Sequence, residues 1–157
     1  MLSTLALAVS FPAHAACPIE LATYADMENA AELEFTPTLN SATVTNSFRM
    51  LLDHDVVLDG VVMWSQEVAR PNGMLMHNCT EGDVTGAELD VCTVWQGVIY
   101  TSDDTGDIRL LPAEGAEAPQ KLIFADLAHS LRMSSAYGVN GFSKMPFDVF
   151  ALKGCQE

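Results

Sequence analysis

Basic residues are scarce in this chain of 157 residues. Seven lysines and arginines stand against 21 aspartates and glutamates, for a formal net charge of −14, and no Lys or Arg precedes Arg49. Binding to nucleic acid needs a basic side chain at each phosphate contact, and attraction to an anionic membrane needs clustered basic residues. The composition therefore argues against nucleic acid and against an anionic membrane surface as partners.

Long apolar runs and catalytic signatures are also lacking. No stretch after the N-terminus approaches the roughly 20 apolar residues of a membrane-spanning helix, so we expect no stable membrane insertion of the mature chain. The sequence has no Gly-rich phosphate loop, no Gly-x-Ser-x-Gly elbow, no His-Glu-x-x-His and no Cys-x-x-Cys pair. These absences favour a protein without a cofactor and lean away from an enzyme.

The N-terminus is the one strongly apolar part of the chain. An apolar run extends from Leu2 to Phe11, Pro12 breaks it, and Ala13-His14-Ala15 then has the small-x-small pattern of a signal-peptidase site. The basic residues that usually precede such a run are missing. We interpret residues 1–15 as a cleaved signal peptide and residues 16–157 as one globular domain.

Export gives the four cysteines a clear meaning. An even number of cysteines in an oxidising compartment indicates disulfides, and four of them allow three pairings. We predict that Cys79 pairs with Cys92, which closes a short loop, and that Cys17 pairs with Cys155, which joins the ends of the mature chain. Each closure stabilises the fold by roughly 3 to 5 kcal/mol in the chain-entropy treatment. The predicted location is periplasmic or secreted, in a bacterial envelope.

Strand patterns outnumber helix patterns along the mature chain. Alternation of apolar and polar residues predicts strands at Glu32 to Phe35 and, most clearly, at Thr43 to Leu52. Val56 to Trp64 is predicted as one strand with a bulge at Asp59-Gly60, and the sequence around Arg70 to Gly73 predicts a turn. Short strands are also expected around Val98 to Tyr100 and at Phe147 to Leu152.

Two segments carry helix signals. Thr85 and Glu88 form a capping box, and Leu89, Cys92 and Trp95 follow at helical spacing. A second helix is predicted over Lys121 to Met133. The fold expected from these patterns is α+β, a mostly antiparallel sheet of about five to seven strands with two short helices, stapled by disulfides. The alternative is a small β-barrel or sandwich with one helix.

Acidic residues surround a histidine in the predicted turn after Leu52. Asp53, His54 and Asp55 are consecutive, and Asp59 follows. A carboxylate beside an imidazole orients it as a general base or a ligand, which is the chemistry a hydrolase with dispersed acids would use. A solvated hairpin turn accounts for the same residues, since Asp is a common turn residue, and we favour that interpretation.

Soft ligands occur once in a suggestive pattern. Met74, Met76 and His77 offer two thioethers and an imidazole, which suit Cu(I). On a strand, however, Met74 and Met76 share one face and His77 points to the other, and methionine is more often core filler. Copper or another metal is therefore an alternative to the favoured function. That function is a non-enzymatic binding or accessory protein that contacts a protein or a small ligand.

Overall fold

The computed structural model describes residues 16–82 and 85–157, and the predicted signal peptide, residues 1–15, lies outside the described residues. In the described part the chain forms nine β-strands and two short α-helices. The strands are β1 (Ala22–Asp26), β2 (Ala31–Thr36), β3 (Val44–Leu52), β4 (Val57–Ser65), β5 (Arg70–Met76), β6 (Thr93–Ser102), β7 (Ile108–Leu110), β8 (Lys121–Phe124) and β9 (Val149–Cys155). The helices are α1 (Gly86–Cys92) and α2 (Leu127–Met133), and single 3-10 turns lie at Ile19–Leu21 and Asp53–Asp55.

Eight strands close into an antiparallel barrel. Strands β1 to β6 are neighbours in chain order, β8 and β9 follow, and β9 pairs with β1 to complete the ring. Strand β7 lies outside the ring and pairs with the part of β6 that extends beyond its pairing with β5. Because neighbouring strands are antiparallel, the β1–β2, β3–β4, β5–β6 and β8–β9 connections all lie at one end, which we call the capped end.

The predicted α+β fold is therefore wrong, and the alternative of a small β-barrel is nearer to the structure. Two strands, β6 and β8, begin in segments that the sequence pattern predicts as helix. The helix predicted from Thr85 through Trp95 ends at Cys92, and the helix predicted from Lys121 is a strand to Phe124 before α2 begins. Tertiary packing overrides the helical spacing because Trp95 and Phe124 are both needed inside the barrel, where their ring centroids lie 5.1 Å apart.

The predicted turn at Arg70 to Gly73 is also wrong, because these residues begin β5. Pro71 pairs with Trp64 on β4, and the turn lies earlier, over residues 66–69. The short strands predicted by alternation are present, with Leu33 and Phe35 of β2 pointing inward. The capping box of α1 is present too, with Thr85 accepting from the Glu88 backbone and Glu88 bonding back.

Aromatic side chains fill the barrel from wall to wall. Ring contacts run from Tyr24 to Phe35, on to Phe48 and then to Phe124, with centroid separations of 5.1 to 5.9 Å. Phe124 also contacts Trp95 and Phe150 and is the centre of the cluster. An eight-stranded barrel has an interior just wide enough for side chains or one small ligand, and here the rings occupy it.

Gly60 on β4 has no side chain and so leaves space in the barrel wall for this aromatic packing. Its register is regular, opposite Phe48 on β3 and Leu75 on β5, so the predicted bulge at Asp59-Gly60 is wrong. A Cβ atom on residue 60 would collide with the Phe48 ring. Glycine is needed here to admit an aromatic ring.

Both predicted disulfides are present. Cys17 bonds to Cys155 beside the β1–β9 seam, with a Cα–Cα distance of 5.7 Å. Cys79 bonds to Cys92, with a Cα–Cα distance of 5.2 Å, and holds α1, whose described side chains include no buried residue. The two bonds indicate an oxidising environment, such as an extracellular or periplasmic one. None of the helices in residues 16–82 and 85–157 has the length and apolar character to cross a bilayer.

Each end of the barrel is plugged by chain. At the capped end, α2 and the segment that follows it insert Leu127, Leu131 and Phe142, all fully buried. At the opposite end, Ile19 is fully buried and the Tyr24 hydroxyl donates to the Pro119 carbonyl at 3.0 Å. Burial raises the pKa of Tyr24 well above its ordinary value. The interior is therefore closed at both ends as well as filled.

Replacing Gly60 by alanine should destabilise the barrel. The added methyl group has to displace the Phe48 ring, and overpacking of this kind costs about 1 to 3 kcal/mol. Urea unfolding of the oxidised protein measures the change. Gly86→Ala is the matched control, because a Cβ there meets nothing within 4 Å and the substitution should be neutral or slightly stabilising. Equal losses in the two variants would contradict this account of Gly60.

Candidate functional site

A cleft of about 300 Å³ lies on the outer wall near the capped end. It is bounded by the β1–β2 turn, the end of β3 and the segment that leads from α2 into β9. Its floor takes partly exposed apolar surface from Ala25, Ala30 and Leu51, whereas Ala31 and Leu52, which also line it, are buried in the barrel core. Its polar lining consists of Asn29, Glu32, Asp53, Lys144 and Lys153, and we call it the lysine cleft.

The cleft gathers two of the three lysines in the chain. The Lys153 ammonium group lies 2.7 Å from a carboxylate oxygen of Glu32, on the neighbouring part of the wall. Lys144 makes no ion pair within 4.0 Å to any carboxylate of residues 16–82 and 85–157. In a chain with a net charge of −14, this grouping makes the cleft an exception to the acidic surface.

Asp53 fixes the backbone that carries Lys144. Its carboxylate accepts hydrogen bonds from the Ser143 amide at 2.8 Å and the Ser143 hydroxyl at 2.6 Å, and from the Lys144 amide at 3.3 Å. The Ser143 hydroxyl is the main reason that the pKa of Asp53 is lowered; desolvation opposes this effect, and the two amides and His54 lower the pKa further. Asp53 thus ties the segment after α2 to the end of β3.

His54 reinforces the same connection. Its Nδ1 lies 3.0 Å from the Gly141 carbonyl oxygen and donates to it, because a carbonyl only accepts. Its Nε2 is 3.9 Å from Asp53. Both His54 and Asp55 have left-handed backbone conformations, with φ of 55° and 59°, which bend the chain tightly between β3 and β4. These predicted site residues are engaged in tying down the cap.

Asp26 does the equivalent work for the other wall of the lysine cleft. Its carboxylate is 2% exposed and accepts backbone hydrogen bonds from Ala30 at 2.7 Å and Ala31 at 2.8 Å. It also accepts from the Glu28 amide at 3.1 Å and from the amide of Phe147, which is 121 positions away in the sequence, at 3.2 Å. One buried carboxylate therefore holds both the turn that carries Asn29 and the start of the return to β9.

Asp59 does not join Asp53 and His54. It lies on the outer face of β4, opposite Arg49 on β3 and Met76 on β5. Arg49 in turn bonds to Glu34 at 2.9 Å. The predicted group of three carboxylates around one imidazole is thus divided between the cap and the barrel wall.

Met74 and Met76 lie on the outer wall of β5, as the alternation predicts. Met74 is 7% exposed and is flanked in register by Val61 and Gln96. The His77 amide donates to the Cys92 carbonyl at 2.9 Å, which leads the chain into the disulfide-closed loop. In residues 16–82 and 85–157, no group of three His, Cys, Asp or Glu side chains is arranged to hold a metal ion.

A second cleft, of about 380 Å³, lies at the opposite end beside β7. Its charged residues are organised around Asp103, which accepts from the Thr105 amide and hydroxyl and from the Asp107 amide at 2.7 to 3.0 Å. The Thr105 hydroxyl is the main reason that the pKa of Asp103 is lowered. Arg109 stands 3.9 Å from both Asp103 and Asp107. This cleft is built around a self-satisfied turn, and Glu117 is the carboxylate of its lining that has no ion-pair partner among the described residues.

Among the polar residues that line the lysine cleft, the sequence pattern singles out only Asp53. Asn29 lies more than a hundred positions before Lys144 and Lys153, and the three share no motif. The one available signal was scarcity, since a chain with three lysines rarely places two of them together by chance. Only the closure of β9 onto β1 brings Lys153 next to Glu32.

Replacing Asp26 by asparagine should cost about 2 to 4 kcal/mol of stability, because an amide nitrogen would then face backbone N–H donors in a buried site. Chemical denaturation measures the loss. Asp104→Asn is the matched control, because Asp104 is exposed and makes no side-chain hydrogen bond within the described residues. A loss for Asp26→Asn no larger than that of the control would refute the structural role of Asp26.

The contribution of Asp53 to stability should depend on pH. Its folded-state pKa is lower than its unfolded-state pKa, so the ionised form favours the folded state. This stabilisation is complete above the unfolded-state pKa and is lost as pH falls through the folded-state pKa. The difference in unfolding free energy between wild type and Asp53→Asn should therefore shrink below the usual aspartate range. A difference that stays constant down to strongly acidic pH would contradict the assignment.

Comparison of this chain with protein-family models, with curated proteins and with solved structures found no match. Function therefore has to be argued from the geometry and chemistry of the site itself.

Proposed function

We propose that this protein is a non-enzymatic binding or accessory protein of a bacterial envelope, and that it binds on its outer wall at the lysine cleft. The observation that carries the proposal is the way the cleft is built. Its two sides are fixed by separate carboxylates, Asp26 and Asp53. Each accepts hydrogen bonds from backbone amides and so holds the chain beside the cleft in place. A rigid, prearranged concave surface binds with less loss of conformational entropy than a mobile one.

The filled barrel supports an outer site. A carrier of the kind that encloses its ligand needs free volume inside the ring, and here the aromatic cluster around Phe124 occupies that volume. The plugs at both ends leave the wall and the connecting loops as the surfaces open to a ligand. The lysine cleft is the concave part of that surface where two positively charged side chains, Lys144 and Lys153, lie together.

The alternative functions have weaker support. A hydrolase would need Asp53 and His54 to be available to a substrate, whereas Asp53 is bonded to Ser143 and Lys144, and His54 to Gly141. A copper site at Met74 and Met76 would have to form on the barrel wall, where Met74 is packed between its neighbours. In both arrangements a key group is engaged or buried, Asp53 by its hydrogen bonds and Met74 by packing, whereas Lys144 is exposed and has no ion-pair partner among the described residues.

Retention of a native ligand or partner tests the proposal. The oxidised full chain, tagged at its C-terminus, is exported to the envelope of its native bacterial host. It is then purified together with any small molecule or protein that stays bound to it. We expect Lys144→Glu combined with Lys153→Glu to lose most of the retained material, because like charges placed at a binding surface repel. The matched control is Lys121→Glu, which adds negative charge to β8 away from the cleft. Retention that is unchanged in the cleft variant, or lost equally in the control, would refute the proposed binding surface.

A further inference from the structure

We infer that the lysine cleft recognises a monocarboxylate on a short apolar stem. The inference rests on the proposed function and adds the chemistry of the ligand. It is drawn from three features of the cleft, namely its donors, its occupied acceptors and its apolar floor.

Three side chains of the cleft have hydrogens left to donate. The Lys144 ammonium group has no carboxylate partner within residues 16–82 and 85–157. Lys153 uses one bond on Glu32 and, as an ammonium group, has two more hydrogens to donate. The Asn29 side chain makes no hydrogen bond to any other described residue, and its backbone φ of 54° marks the bend of the turn. Two ammonium groups and an amide on one cleft call for an anionic acceptor.

Both carboxylates of the same cleft already accept from protein donors. The Asp53 carboxylate takes three donors from Ser143 and Lys144, and a Glu32 oxygen takes the Lys153 ammonium group. Because of these bonds, a cationic ligand would gain few new hydrogen bonds from Asp53 and Glu32. They also limit the charge of the anion, because the two acidic side chains repel it. A single negative charge suits the cleft better than the double charge of a phosphate monoester.

The floor and the size of the cleft set the rest of the ligand. Ala25 and Ala30 are small, and Leu51 adds aliphatic surface, while Ala31 and Leu52 are buried. A volume of about 300 Å³ is at the lower end of the range for small-molecule sites. Because only a few apolar side chains face the cleft, the stem is a few carbons long. At physiological salt, charges beyond about 8 Å are screened, so the acidic remainder of the protein does not cancel the local attraction.

The same chemistry can be presented by a free acid or by the C-terminal residue of a protein. Isovalerate is the probe for the free acid, and isovaleramide is its uncharged counterpart. Acetyl-glycyl-leucine with a free carboxylate probes the C-terminal source, and the same peptide with an amidated C-terminus is its control. Amide NMR titration of the oxidised full chain at neutral pH follows all four compounds.

We expect isovalerate to shift the amide signals of Asn29 to Glu32 and of Ser143 and Lys144, and isovaleramide to leave them unchanged. If the peptide acid binds more tightly than isovalerate, the source is a protein terminus, and the reverse order indicates a free acid. Saturable binding of isovaleramide equal to that of isovalerate, or no response to either acid at high millimolar concentration, would overturn the inference.

Lysine variants locate the effect. Lys144→Gln and Lys153→Gln should each weaken isovalerate binding about three- to fivefold, the upper range for one exposed ion pair. Lys121→Gln removes the same charge outside the cleft and should leave the affinity unchanged. Equal weakening in all three variants would show general electrostatic attraction and overturn the site. Retention of a native partner without any response to the acids would refute this ligand chemistry alone and leave the proposed function standing.

Discussion

Eight antiparallel strands enclose a narrow space, and the need to fill that space governs the rest of the structure. The rings around Phe124 fill it, and Gly60 is present because one of those rings, Phe48, needs the room of a missing side chain. Once the interior is occupied, the remaining tasks of the chain are to cover the two open ends and to hold the covers in place. The buried carboxylate of Asp26 and the turn at Asp53 and His54 perform the second task.

The sequence predicted local features better than the global fold. Alternation identified β2 and β3 because each has one face in the core and one in solvent, and the capping box at Thr85 is a purely local hydrogen-bond pattern. The beginning of β5, the strand β8 and the first half of β6 were missed because their residues also fit a turn or a helix. What decided them was contact with distant strands, and no short window of sequence contains that information.

The same division holds for the candidate site. The turn at Asp53 to Asp55 stood out in the sequence because its residues are adjacent, and the structure gives Asp53 and His54 a tethering role that adjacency could not show. Lys153 and Glu32 meet only because β1 lies between β9 and β2, and Lys144 reaches the cleft only because Asp53 holds its backbone. Local sequence thus marks the supports of the cleft, whereas its open charges are placed by topology.

The bond between Cys17 and Cys155 has a mechanical consequence. It lies beside the seam where the last strand of the barrel meets the first, and it spans 138 positions of sequence. A pulling force applied at Ala16 and Gln156 would be carried through this covalent link and would bypass the strands between them. In its oxidised form the barrel is therefore shielded from being unzipped by tension at its ends, and reduction of this one bond would expose the β1–β9 seam to that load.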